Sequence, residues 1–564
     1  MINVNTPMAL KAHEILLKRI DEWSWYEKYS AIIPDIIFEQ DVIDGYKLII
    51  NKGKATVYAN SIIEFIAGTG ELIRRIMSTI CSDYSSVEDV MITDIPRYKH
   101  RMHYMPGHFG NAYEVAWPTE MERLLEDLAL FGANGYADWT DPNDMPDPYN
   151  PHVYCSSSMT LWKRKKMYYR YAKELGMTTG IVLAHNVAFL DQLRPDLLGV
   201  KSSKHKVQGQ VLCPSIPEAR RICLNNFENL MKDFKASEVY IDRIILNPYD
   251  DGGCACDKCQ PYYQTFLGMA YDIFDIVKSF FPDIIVDICG WWTSDDDIHL
   301  LKEFAKKLDG HFGEFMYSVT YGVYQVPEDI KKRIDPLPVS TFVHIGFSDV
   351  NKDTYIKTGI HNAQKRIQSI VKSFDNADCT GFNTYNESFG DHYNQYIISR
   401  LARNPNYNLD SLTREYIIEM FALKDSDVET LLNIMNEMQY YNLEKAENWE
   451  NQLLEIKPHI HVNIEQEQWL FEHILIKAQL MALDAKIGDY TKWNSKEDVD
   501  PVMHLIEKRE KLFGYMFRRI YGLGIMRHAF IPERMQAPWY GAYIKFYPKL
   551  QGNIIPGMNL SKNA

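Results

Sequence analysis

From about residue 97 to residue 395, short β-branched and apolar runs alternate with longer segments of helical periodicity. Short apolar runs bounded by turn residues read as strands buried on both faces, and their alternation with helices reads as successive βαβ units of a parallel sheet. The pattern predicts strands at 101–105, 135–139, 179–184, 239–246, 284–290, 314–319, 341–345 and 380–385. Eight strands in about 300 residues is the count and size of a (β/α)8 barrel. Before this region, residues 46–50 and 55–59 alternate around the Asn51-Lys52-Gly53 turn as a hairpin does, and 61–70 leads into a helical segment at 71–76. Residues 8–20 read as an amphipathic helix. After Arg403-Asn404-Pro405 the strands stop, and helical patterns run through 413–421, 426–441, 465–487 and 501–520. The predicted class is α/β: a (β/α)8 TIM barrel (96–402), preceded by a small α/β domain (1–95) and followed by an all-helical C-terminal domain (403–564).

Composition narrows the function. The 564 residues are too many for one hydrophobic core. A net charge of -14 argues against nucleic acid or an anionic membrane surface as partner, because neither gains from an acidic protein. No apolar run reaches the ~18–20 residues of a membrane span, and residues 1–20 lack the pattern of a secretory signal. The nine cysteines are an odd number and do not form an evident disulfide framework, so the expectation is a cytoplasmic protein in a reducing compartment. The C-terminal helices are a candidate homodimer interface.

The densest chemistry lies at residues 239–259. An apolar run breaks at Asn247-Pro248, delivers Asp250 and Asp251 onto a Gly-Gly turn, and is followed by Cys254, Cys256 and Cys259. Barrel enzymes place their catalytic groups at the C-terminal ends of strands. Adjacent carboxylates disfavour joint ionisation, which raises one pKa and supplies an acid. The bland alternative is a solvated turn. Glu387, after the last predicted strand, is the second carboxylate of interest, as nucleophile or base, as a sugar ligand by the resemblance described below, or simply as a loop charge; Asp391 and His392 are weaker candidates of the same kind. Trp291 and Trp292 follow the fifth strand as walls on which a sugar face stacks. His103, Asp138, Tyr317, Tyr321, His344, Asn383 and Tyr385 sit at other strand ends as candidate substrate ligands, with His108 and Trp139 beside them. The Cys254-x-Cys256-x-x-Cys259 spacing suits a tetrahedral zinc with Cys213 as fourth ligand and Cys155 as another option. Such a site would be structural, with no cofactor for catalysis. Free buried thiols are the alternative.

The hairpin followed by Ala67-Gly68-Thr69-Gly70 resembles the small domain before the barrel in family 20 β-N-acetylhexosaminidases and the related family 84 and family 67 enzymes. Residues 101–109 and 121–134 are similar to the first barrel strand and helix of that superfamily. Residues 212–218 and 250–259 look like hexosaminidase-like relatives that share the barrel. The resemblance covers about 45–400 and implies a glycosidase acting on β-linked N-acetylhexosamine by substrate-assisted retention. Family 20 carries an Asp-Glu pair after the fourth strand; the Asp250-Asp251 pair is closer to family 84. By that likeness Asp250 orients the acetamido group and Asp251 is the acid, although the physics allows either order. Three other readings stay open: hydrolysis of a sugar without an acetamide, such as a uronoside, through Asp251 and Glu387; a non-catalytic glycan-binding protein; and a structural protein assembled through its C-terminal helices. The uronoside reading calls for an Arg or Lys to meet the carboxylate, and no strand end offers an obvious one.

Overall fold

The computed structural model describes residues 1–107, 112–139, 145–150, 156–200, 211–248, 253–291, 293–320, 322–345, 362–386, 389–439, 442–461, 465–489 and 492–521. The N-terminal region comprises β1 (Ile2–Val4), α1 (Leu10–Glu22), β2 (Asp35–Gln40), β3 (Tyr46–Asn51), β4 (Lys54–Ala59), α2 (Ile62–Cys81) and β5 (Val90–Asp94). Its sheet has the order β1-β2-β4-β3-β5. The expected hairpin is β3–β4, antiparallel from Tyr46↔Ala59 to Asn51↔Lys54. Lys52 and Gly53 take positive φ (49° and 75°), the turn geometry that matches strand twist. Tyr46, Leu48, Ile50, Ala55, Val57 and Ala59 bury one face of the sheet under α2.

Residues 61–70 do more than lead into a helix at 71. Ser61 caps α2 by accepting from the Glu64 N–H at 3.4 Å, and the helix runs unbroken from Ile62. Helix propensity argues against Gly68 and Gly70 inside a helix, but both sit at close crossings. A Cβ on Gly68 would press on Tyr46 and Val57, and one on Gly70 would strike the Leu130 carbonyl. Packing overrides propensity there.

The barrel follows, as β6 (His100–Tyr104), α3 (Pro118–Phe131), β7 (Gly135–Trp139), α4 (Ser156–Glu174), β8 (Thr178–Ala184), α5 (Pro217–Ala236), β9 (Arg243–Asn247), α6 (Tyr262–Phe280), β10 (Ile285–Cys289), α7 (Ile298–Lys307), β11 (Phe312–Val319), β12 (Val339–His344), α8 (Gln364–Asn376), β13 (Cys379–Tyr385) and α9 (His392–Arg403). The eight strands are parallel throughout and close where β13 pairs with β6. All eight expected strands are present. The largest boundary difference is at β9, which starts at Arg243 rather than 239. Asp242 sits in a bend there, its carboxylate accepting from the Thr179 N–H (2.7 Å) and from Lys173 (2.8 Å).

Inside the barrel, side chains stack in layers. At the N-terminal end, Arg243 clasps Asp287 through two 2.6 Å hydrogen bonds, while Glu314 accepts from Thr380 (2.5 Å) and meets His100 at 3.1 Å. Above this lie Met102, Ala137, Val182, Ile245 and Met316, and above those Tyr104, Trp139 and Phe342.

Of the C-terminal helices α10 (Leu409–Phe421), α11 (Asp425–Glu437), α12 (Ala446–Ile456), α13 (Glu465–Ile487) and α14 (Met503–Tyr521), α10 packs against α2 and α9 and the others extend from it. A seam of buried charges joins the three regions. Glu64 on α2 holds Arg101 of β6 (3.0 Å) and Arg403 of α9 (2.7 Å), and Arg403 also reaches Asp94 of β5 (3.0 Å). Asp127 on α3 binds Arg19 of α1 at 2.7 Å. Among the described residues no helix is long and apolar enough to cross a membrane.

Candidate active site

Successive strand residues point to opposite faces, so only every second residue at a strand end looks into the barrel. Counting from the interior layer of Met102 and Ile245, the inward residues at the C-terminal end are Tyr104, Trp139, Phe342, His344, Asn383 and Tyr385, with Trp291 just past β10. They form an aromatic bowl. The His344 ring lies between Trp291 (centroids 5.5 Å apart, 16° between planes) and Tyr385 (4.9 Å, 28°). Tyr104 packs against Tyr385 at 5.7 Å, Phe342 at 5.9 Å and Trp139 at 6.4 Å. Set into this apolar surface are amide groups with unmatched atoms among the described residues. Neither side-chain polar atom of Asn383, nor Oδ1 of Asn247 at the end of β9, has a hydrogen-bond partner among the described residues, although all are buried. A buried orphan amide costs stability unless something else completes it.

The loops above the bowl are prepared from below. Asn386 Nδ2 donates to the Tyr104 carbonyl (2.6 Å) and to Thr384 Oγ1 (2.9 Å), and its Oδ1 accepts from Gln395 at 3.1 Å. These bonds fix the backbone one residue before Glu387. Asp250 comes three residues after the end of β9, and Glu387 two after the end of β13. The expected catalytic residues Asp250, Asp251 and Glu387, and the expected ligands Trp292 and Tyr321, lie outside the described residues, as do His108 and Cys155.

Of the other expected substrate ligands, the structure brings Trp291, His344, Asn383 and Tyr385 together and turns three away. His103 faces outward: its Nδ1 bonds Thr384 Oγ1 at 2.8 Å and its Nε2 bonds Ser399 of α9 at 2.9 Å, while burial pushes its pKa down to about 3. It is a neutral structural group between strand and helix. Asp138 is also outward, held by Lys165 of α4 (3.1 Å), by Tyr136 (3.1 Å) and by the Gly107 N–H (3.0 Å). Tyr317 lies on the outer face of β11, packed against the surrounding core. The weaker candidate His392 belongs to the seam, bonded to Tyr416 (2.9 Å) and Asp127 (3.2 Å), and Asp391 is buried at the start of the same helix. Tyr104, Phe342 and Asn247 are mouth residues that position at a strand end alone did not single out. Counting by twos from Met102 would have found Tyr104.

Beside the mouth, two loops bring four thiols together. Cys213 ends the excursion that follows β8, pinned by bridges Val187↔Val211 and Leu198↔Leu212, and Cys254, Cys256 and Cys259 belong to the loop after β9. Cys213 Sγ lies 3.5 Å from that of Cys254 and 3.8 Å from those of Cys256 and Cys259. Clefts among the described residues include one in the seam beside Arg19, Arg123 and Glu419 and one between α13 and α14 beside Gln479, Lys508 and Tyr515.

No protein-family model and no curated protein matches this chain. Solved structures of glycoside hydrolases do. A family 89 glycoside hydrolase from Clostridium perfringens, in complex with its substrate GlcNAc-α-1,4-galactose, superposes with a TM-score of 0.57 at 12% identity, covering 91% of this chain and 66% of that one. A family 138 enzyme targeting pectin rhamnogalacturonan II gives 0.52 at 11% identity, covering 95% and 76%. A family 20 exo-β-N-acetylglucosaminidase from Vibrio harveyi, in complex with N-acetylglucosamine, gives 0.50 at 10% identity, covering 78% and 74%. The small sheet region, the closed eight-stranded barrel and the helical C-terminal region share the fold of these solved structures.

Proposed function

We propose that the protein is a glycoside hydrolase that cleaves a β-linked 2-acetamido sugar at the barrel mouth by substrate-assisted retention. The observation that carries this reading is the pairing of orphaned amides with stacked rings. Asn383 and Asn247 offer unmatched polar atoms inside a bowl of Tyr104, Trp291, His344 and Tyr385. A sugar meets both demands, because its hydroxyls complete amides while its C–H faces cover rings. The chain positions of Asp250 and Asp251 after β9, and of Glu387 after β13, support the catalytic assignment, since barrel chemistry sits at strand C-terminal ends.

In this reading Asp251 donates a proton to the glycosidic oxygen as the C1–O bond breaks. The acetamido oxygen closes on C1 with its N–H held by Asp250, so no protein nucleophile is needed. Water then attacks C1, breaking its bond to the acetamido oxygen and giving a proton back to Asp251. Glu387 binds sugar hydroxyls. A second reading, an α-linked N-acetylglucosaminide, is favoured by the family 89 enzyme, whose bound substrate is GlcNAc-α-1,4-galactose; there the acetamide is cis to the leaving oxygen and cannot displace it, so Glu387 is the nucleophile and Asp251 the acid.

The test is hydrolysis of chromogenic α- and β-N-acetylglucosaminides, a β-N-acetylgalactosaminide, a β-glucoside and an α-glucuronide by wild type and Asp251→Asn, with and without a thiazoline mimic of the cyclised intermediate. Cleavage confined to acetamido sugars, abolished by the substitution and blocked by the thiazoline, is the expected result. Cleavage of the α- rather than the β-N-acetylglucosaminide, without thiazoline inhibition, decides for the second reading and its Asp251–Glu387 pair. Turnover only of sugars without the acetamide would overturn the mechanism and move the chemistry to Asp251 and Glu387.

A further inference from the structure

The thiol cluster has its own geometry. We propose that Cys213, Cys254, Cys256 and Cys259 bind one zinc ion in a closed tetrahedral site, tying the excursion after β8 to the loop after β9. Zinc–thiolate bonds of about 2.3 Å place the sulfurs of a regular tetrahedron about 3.8 Å apart. Cys213 Sγ lies 3.5, 3.8 and 3.8 Å from the other three, and all four ligand atoms fall within 4.8 Å of one another. A disulfide would single out one pair at about 2.05 Å, and no pair is singled out here. A cluster of several irons would spread its thiolates over more than one metal, wider than this spacing.

The surroundings suit thiolate sulfur. The Val200 N–H points at Cys254 Sγ from 3.2 Å, and the Ser215 hydroxyl lies 3.0 Å from Cys213 Sγ and 3.5 Å from Cys256 Sγ. Hydrogen bonds of this kind orient metal ligands and temper their charge. The Ala255 N–H bonds the Val200 carbonyl at 2.9 Å and the Cys213 N–H bonds the Leu197 carbonyl at 2.8 Å, so the backbone already holds both loops in place around the sulfurs. With four thiolates no position is left for water, and the ion is structural. It anchors the segment that begins three residues after Asp251.

The proposal stands apart from the glycosidase reading, because metal is counted whether or not any sugar is cleaved. The full chain, purified without chelator, should carry one zinc ion per molecule by elemental analysis. After chelation, Co2+ alone should restore one equivalent with the intense visible bands and sulfur-to-metal charge transfer of a tetrahedral tetrathiolate, and zinc should displace it. Cys256→Ser, at the half-buried ligand, should abolish those bands, whereas Cys379→Ser, at a buried thiol on β13, should leave them unchanged. Hydrogen exchange should show chelation releasing residues 186–200, 211–216 and 253–261 while the barrel strands stay protected. Metal-free protein with the same exchange pattern and no cobalt bands would overturn the proposal. So would iron in place of zinc, or cobalt bands that survive Cys256→Ser.

Discussion

The barrel mouth and the charged seam both bury polar groups, and they treat them in opposite ways. In the seam, buried carboxylates find guanidinium partners. Burial pushes the Glu71 carboxyl up, but Arg400, Arg74 and Arg75 outweigh it and hold it down to about 2; Glu64 is likewise lowered by Arg403 and Arg101 against its burial. At the mouth, the amides of Asn383 and Asn247 have no partner among the described residues, and rings replace ions. Paired burial contributes to a rigid joint between regions. Unpaired burial costs stability, which a bound ligand or water can offset by completing the bonds. One member of the seam departs from its pattern. Glu419 is 3.7 Å from Arg74, and burial raises its pKa to about 7.

The sharpest break of this contrast is Asp251→Asn. It should lower turnover of an acetamido sugar about 10²–10⁴-fold, the usual contribution of a general acid, with the unfolding midpoint unchanged. Glu64→Ala should do the reverse. It leaves Arg101 and Arg403 buried without their shared carboxylate and should lower stability by about 3–5 kcal/mol in denaturant titration, while sugar affinity of the folded fraction holds. If sugar binding fell with it, seam and mouth would not be separable. Asn383→Leu should gain about 1 kcal/mol of stability by removing the orphan amide and lose about tenfold or more in affinity for an acetamido iminosugar, measured by calorimetry. Trp291→Ala should weaken the same ligand by roughly 0.5–1.5 kcal/mol, the worth of one aromatic contact.

The smallest effect is a pH slope. Glu419 titrates at about 7 folded and at its ordinary 4.5 unfolded, so the folded state holds the extra proton between those values. Its contribution is full below pH 4.5 and is lost as pH rises through 7. Glu71, depressed to about 2, acts in the other window, contributing above 4.5 and losing that contribution as pH falls towards 2. Thermal unfolding of Glu419→Gln should match wild type at pH 5 and exceed it at pH 8. Equal midpoints at both would mean that Arg74 keeps the carboxylate ionised.

Local pattern carried much of the architecture. The hairpin at 46–59, the eight barrel strands and the helical region after 405 follow from periodicity and turn residues, because period 2 and period 3.6 are properties of neighbouring residues in the chain. The spacing of Cys254, Cys256 and Cys259 marked the thiol cluster for the same reason. Which way a strand-end side chain faces is another matter. His103, Asp138 and Tyr317 stand at strand ends as Tyr385 and His344 do, yet they point to the helices. Strand position is legible locally, but orientation about the barrel axis depends on the register with both neighbouring strands, which includes shifts at Val286/Ile288 and Val339/Thr341. The sequence by itself determined the elements, their order and the chemistry available at each turn. Tertiary structure brought Cys213, a candidate in the sequence 41 residues before Cys254, to the other three thiols, and alone decided that Gly70 continues a helix rather than preceding one and that His392 serves the seam rather than the mouth. Each of these is a contact between residues far apart in the chain, and only closing the fold brings them together.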